Sequence, residues 1–184
     1  SIKEKLTEEL ERLAKRIREA NEDNKRTVEE VEKRIREVIK KNRDSNKEIK
    51  DDVERVLSRI DDEEVVRKIK ELVERNSETS ERLRRKVEEE LKRLRESSRK
   101  LIEDNKKLLE DLRREVEEAK RRGEDEEVVE RLLKKMREAV KKSEDENREH
   151  SERVKRIIEK IAREAEEHSK RTKELLDRIR EEVR

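Results

Sequence analysis

Apolar residues recur along this chain in steps of 4-4-3-4-3. The first run is Ile2, Leu6, Leu10, Leu13, Ile17, Ala20, Asn24, Val28, Val31, Ile35, Val38, Asn42, Asn46, Ile49, Val53, Val56 and Ile60. One cycle of steps spans eighteen residues and five turns, which is the period of the α-helix itself, about 3.6 residues per turn. A seven-residue repeat would impose a left-handed supercoil and an eleven-residue repeat a right-handed one, so this pattern predicts straight helices. The same steps run from Val65 through Ile69, Val73 and Asn76 to Ala119, and again from Val129 through Leu132, Met136 and Val140 to Val183. No position on the three stripes is charged, although 60% of the chain is Asp, Glu, Lys or Arg. The remaining apolar residues, such as Ala14, Ile39, Leu57, Leu72, Ile102, Leu108, Ile157 and Leu175, lie directly beside the stripes. They widen each stripe into a core-facing surface and leave no second apolar face for a membrane surface or a partner's groove.

Two short breaks separate the runs. One lies around Asp61-Asp62 and the other at Arg122-Gly123-Glu124-Asp125, where Gly123 suits a helix C-terminus. Both lead into the same string, Asp-Glu-Glu-Val-Val, at 62–66 and 125–129. Asp at the N-cap followed by two Glu suits the positive end of a helix dipole, and Ser1 can cap the first helix likewise. The expected helices are 1–60, 63–122 and 126–184, each roughly 90 Å long at 1.5 Å per residue. Short connections make neighbouring helices antiparallel. The expectation is an all-α, single-chain, up-down-up antiparallel three-helix bundle of long, straight, untwisted helices, one domain over residues 1–184. The alternative is an oligomer whose chains share their stripes. Either handedness is compatible with two short loops.

Composition sharpens this picture. A chain only 27% hydrophobic would read as disordered, but its charged residues are strong helix formers, proline is absent and glycine occurs once. Lys and Arg (56) nearly balance Asp and Glu (54) and are interspersed with them, so the basic face of a nucleic-acid binder is not expected. There is no cysteine for thiolate or disulfide chemistry, and no aromatic residue at all. No run approaches the roughly 20 apolar residues of a membrane span, and no signal-peptide pattern is visible. The expectations are therefore no required partner, no nucleic acid, no membrane and no cofactor. We expect a monomer with a homo-oligomer as the alternative, soluble and cytoplasmic on recombinant expression, with no natural compartment.

Twelve stripe positions are polar. Six of the seven asparagines lie on the stripes, with Asn21 beside them, and both histidines do as well. Asparagine is a poor helix former, so the surface would be its cheaper location. Folding the helices antiparallel about the two breaks puts residue i of the first helix near 123 − i of the second and i + 124 of the third. Asn24 then faces Ser97, Ser98, Asn147, His150 and Ser151, with Asn21, Asn105 and Ser143 a turn or two away. Asn46 faces Asn76, Ser77 and Ser169, joined by Asn42, Ser45, Thr79, Ser80, His168 and Thr172. The polar residues thus collect at two levels, roughly 30 Å apart. Buried hydrogen-bond networks are the expected result. They penalise wrong registers, because an unsatisfied buried polar group costs about 1–3 kcal/mol.

A second expectation concerns His150 and His168, which are eighteen residues apart and each followed by serine. A histidine buried neutral resists protonation, so stability would fall as the pH drops below about 6.5. Catalysis and metal binding are not expected. Di-iron bundles use Glu-x-x-His on facing helices, whereas this chain has Asn147-x-x-His150 and Ala165-x-x-His168. The histidines are about 27 Å apart along one helix. Ser151 beside His150 lacks an acidic residue on the stripe to orient the imidazole.

The eighteen-residue stripe, the Asn/Ser/Thr/His layers, the repeated Asp-Glu-Glu-Val-Val starts and the Glu/Lys/Arg surface together resemble computationally designed parametric helical bundles with buried hydrogen-bond networks. The resemblance covers the whole chain. It implies a structural protein or scaffold with no natural biochemical activity. Some members of that class use buried histidines for pH-triggered disassembly, and His150 and His168 resemble that device.

Overall fold

The computed structural model describes residues 1–182. It contains three long α-helices that pack against each other, α1 (Ile2–Leu57), α2 (Glu63–Arg122) and α3 (Glu126–Glu182), with no strand among the described residues. The helix starts follow from local chemistry. Asp62 Oδ1 accepts from the Glu64 backbone N–H at 3.0 Å, and Asp125 Oδ1 from that of Val128 at 3.0 Å. Ser1 Oγ accepts from the Glu4 N–H at 3.3 Å. Each satisfies a donor that the helix leaves orphaned.

The two interior helix ends differ. At the end of α2, Gly123 adopts φ 62°. Its N–H reaches the Lys120 carbonyl while the Glu124 N–H reaches that of Ala119, both at 3.3 Å. This is a Schellman closure, and the left-handed residue in it favours glycine. α1 has no such residue. It ends at Leu57, three residues short of the expected 60, because the chain tightens into i→i−3 bonds from Arg59 to Val56 and from Ile60 to Leu57. The expected last stripe position of α3, Val183, lies outside the described residues.

The chain divides into two compact units, each containing a segment of all three helices. The first comprises Ser1–Glu30 and Arg93–Lys155; the second comprises Val31–Lys92 and Arg156–Arg184. In the first, Leu6, Leu10, Leu13 and Ile17 of α1 pack with Leu112 and Val116 of α2 and with Val129, Leu133, Met136 and Val140 of α3. In the second, Ile49, Val53 and Val56 pack with Ile69, Leu176 and Ile179. All apolar stripe positions among the described residues are buried or half-buried except Ile2, at 38% exposure beside the chain end. One local exchange occurs. Leu133 is fully buried where the pattern placed Leu132, which is half-buried. The pattern fixes the face to within one residue, and packing against Met136 and the α1 leucines selects between adjacent side chains.

Candidate functional site

The polar stripe residues of both units are held between the helices. In the first unit Asn24, Ser98, Asn105, Ser143, Asn147 and His150 are buried. Asn105 sits at the centre of one network. Its Nδ2 donates to Asn21 Oδ1 at 2.7 Å, and its Oδ1 accepts from Ser143 Oγ. Asn147 Nδ2 donates to the Ser143 carbonyl one turn back on α3, at 2.8 Å. Beside this, Ser98 Oγ lies 3.0 Å from His150 Nε2, and Asn24 Nδ2 donates to the Ser98 carbonyl at 3.5 Å.

In the second unit Asn42, Ser80, His168 and Thr172 are buried. Ser80 Oγ donates to Asn46 Oδ1 at 3.0 Å and lies 2.6 Å from His168 Nε2. A hydroxyl has one proton. With that proton given to Asn46, His168 Nε2 is the donor to Ser80, so the neutral ring carries its proton on Nε2. Thr172 Oγ1 donates to Asn76 Oδ1 at 2.9 Å.

Within each unit the α2–α3 pairs keep an antiparallel register: residues 105 and 143 have the same sum of residue numbers as 98 and 150 in the first unit, and 80 and 168 the same as 76 and 172 in the second. Within each unit the α1–α2 contacts Asn21–Asn105, Asn24–Ser98 and Asn46–Ser80 also run antiparallel, less than one helical turn from the expected register. Asn24, Ser98 and His150 correspond to Asn42, Ser80 and His168 through a shift of eighteen residues on every helix. A Ser–His contact is present in both sets, and in both the asparagine Oδ1 is buried without a partner, as is Asn147 Oδ1.

Several expected contacts are not made. Ser77 is exposed and lies outside the networks, because it stands about 100° around α2 from Asn76. Asn46 bonds Ser80 in place of Asn76. Ser97 and Thr79 turn back onto their own helix, donating to the carbonyls of Leu94 and Arg75, as short hydroxyl side chains do in helices. Ser45, Ser151 and Ser169 are half-buried and make no side-chain hydrogen bond among the described residues.

Charged groups at the edge of the stripe complete the site, and the sequence pattern missed them. Asp52 is 8% exposed, held by Arg180 of α3 and by Arg55 at 2.9 Å. Glu9 receives Arg137 Nε at 2.7 Å and also pairs with Arg12. Arg16 grips Glu144 through two nitrogens. The α1–α3 pairs 9/137, 16/144 and 52/180 are each 128 apart in sequence. That common offset between opposite charges beside a stripe was a signal available in the sequence.

Burial lowers the pKa of both histidines below the usual imidazole value, assisted by Arg153 beside His150 and Arg171 beside His168. For Glu9, burial acts to raise the pKa, but the hydrogen bonds from Arg137 and Arg12 outweigh it and the net shift is downward. The Glu144 hydrogen bond holds the Arg16 pKa above its ordinary value. Among the described residues no three His, Asp or Glu side chains are grouped as ion ligands would be, and no helix is long and apolar enough to cross a membrane. No family model, curated protein or solved structure matches this chain.

Proposed function

We propose that this chain is a de novo designed structural protein, a helical scaffold with no natural biochemical activity, whose buried polar layers specify how its helices pair. The observation that supports this most is the antiparallel α2–α3 register that two polar pairs keep within each unit. In an all-apolar seam, sliding by one turn exchanges leucine for leucine at little cost. With these layers, the same slide strands several buried donors and acceptors at about 1–3 kcal/mol each. The discriminating experiment replaces Asn21, Asn105, Ser143, Asn76 and Thr172 together by apolar residues. The variant should stay helical and become as stable or more so, yet populate several species by native mass spectrometry and NMR. A single species with the parent's hydrogen-exchange pattern would refute the specifying role.

A second reading, a pH-responsive bundle, is favoured by one observation. Both histidines are buried between the helices, and that burial lowers both pKa values. A ring whose folded pKa lies below its unfolded value binds fewer protons when folded. Its stabilisation is present above about pH 6.5 and declines as the pH falls through that value and below. Melting at about pH 7.5 and pH 4.5, for the parent and a His150→Asn/His168→Asn variant, separates the readings. Equal acid sensitivity in both proteins removes the switch.

A further inference from the structure

Arg12, Arg26, Arg84 and Arg114 each pair with an acidic residue three positions earlier. Arg43 has no such neighbour. Its own helix places Ile39, Lys40, Asn46 and Lys47 three and four positions away, and among the described residues it forms no ion pair. It stands at a cavity of about 120 Å³ between α1 and α2 in the second unit. Val38, Ile39, Leu83 and Val87 give that cavity apolar walls. Its charged lining is Arg43, Arg84 and Glu81. Arg84 and Glu81 neutralise each other at 2.9 Å, which leaves the positive charge of Arg43 unopposed. Asn42, Asn46 and Ser80 supply the uncharged polar part. The two asparagine oxygens are withheld from the cavity: Asn42 Oδ1 is buried, and Asn46 Oδ1 accepts from Ser80 at 3.0 Å. Neither Nδ2 group has an acceptor among the described residues, and neither is enclosed by protein. The larger groove between α1 and α3 in the first unit differs, because Glu144 and Asp23 already hold its Arg16 and Arg26.

We infer that this cavity is a binding site for a small branched aliphatic carboxylate, of the size of isobutyrate. The unpartnered groups decide the chemistry. Arg43 and the two asparagine amides are all donors, and the only acid in the lining, Glu81, is already paired. A ligand that accepts hydrogen bonds and carries one negative charge answers all three. Arginine meets a carboxylate through two parallel N–H donors, and bonds to an ionised acceptor are stronger than neutral ones. The alkyl group then covers Val38, Ile39, Leu83 and Val87, which a bare anion leaves against water. The volume fits. An apolar cavity of about 150 Å³ admits benzene, so this one holds an alkyl group of roughly three carbons, with the carboxylate on the polar side beside Arg43.

The test is an NMR titration of the full-length, isotopically labelled protein at pH 7 and constant ionic strength, with three probes used separately. Isobutyrate carries the charge and the alkyl group, isobutyramide the same shape without the charge, and formate the charge without the alkyl group. The expected result is saturable shifts with isobutyrate, at the Asn42 and Asn46 side-chain amides and at the Val38, Ile39, Leu83 and Val87 methyl groups. Isobutyramide should bind about tenfold more weakly, the difference between charge-assisted and neutral hydrogen bonds. Formate should also bind about tenfold more weakly, having no apolar group to bury. Arg43→Gln, at an exposed position, should reduce isobutyrate to the affinity of isobutyramide. Equal affinity for isobutyrate and either other probe overturns the proposal. So do isobutyrate shifts that grow linearly, or that spread over the other basic surfaces of the chain, and so does an Arg43→Gln variant with undiminished affinity. The comparison of probes uses the unaltered protein, so it decides the matter even if the variant misfolds.

Discussion

At the scale of single residues, partners rather than polarity set the energetics. Asn105 uses its donor on Asn21 and its acceptor on Ser143. Asn105→Leu leaves an amide oxygen and a hydroxyl stranded, and should lower the unfolding free energy by about 1–3 kcal/mol per stranded group, read as a shift in the urea midpoint at constant slope. Asn24 has an unpartnered Oδ1 and a single long hydrogen bond at 3.5 Å. Asn24→Leu should therefore cost less than Asn105→Leu in the same assay, or stabilise. If the two variants are equally destabilised, the difference between satisfied and orphaned groups is not what controls these sites. The polar stripe residues could be read from sequence because asparagine and histidine interrupt an otherwise apolar period. Asp52 and Glu9 could not be read so directly, because charge on a stripe edge is ordinarily solvated; only their arginine partners on other helices allow burial.

At the scale of elements, the helix boundaries depend on caps. The α2–α3 connection closes on Gly123 at φ 62°, where an added Cβ would meet no atom within 4 Å. Gly123→Ala therefore meets no clash and suffers only the left-handed backbone penalty, about 1–2 kcal/mol. Asp62→Ala and Asp125→Ala each remove an N-cap acceptor and should cost about 1 kcal/mol. Thermal melts check all three, and a neutral Gly123→Ala would mean that the closure does not depend on the left-handed residue. The helices themselves followed from period and propensity. The last turn of α1 did not, because its end is marked by no glycine and its tightening is a matter of local hydrogen bonding.

For the whole molecule, acid should act in two stages. The lowered histidine pKa values withdraw stability as the pH falls below about 6.5. The lowered Glu9 pKa adds a second loss as the pH falls below the ordinary glutamate value of 4.5 toward its folded value, since protonation releases Arg137 and Arg12. The His150→Asn/His168→Asn variant should lose the first stage and keep the second, and Glu9→Gln the reverse. A pH series of chemical melts reads both, and a single unresolved stage common to all variants would contradict this assignment. Because no apolar stripe is left unpartnered in the sequence, light scattering should return the 22.5 kDa monomer mass at every concentration. A mass that rises with concentration would favour the self-associating alternative.

The sequence by itself determined that there are three helices, where two of their junctions lie, which face of each is buried, and that polar residues interrupt that face in repeating positions. These follow from periodicity and caps, which are local. Tertiary structure decided which polar groups meet: Ser80 with Asn46 in place of Asn76 with Asn46, Asn105 at the centre of a network, Ser77 left in solvent, and Leu133 inside in place of Leu132. It also decided the proton position on His168 and which oxygens are orphaned. The physical reason is angular. A helical pattern locates a side chain to within about one residue, or 100° around the axis. A hydrogen bond tolerates far less than that, so partners are chosen only when neighbouring helices fix the remaining rotation and register.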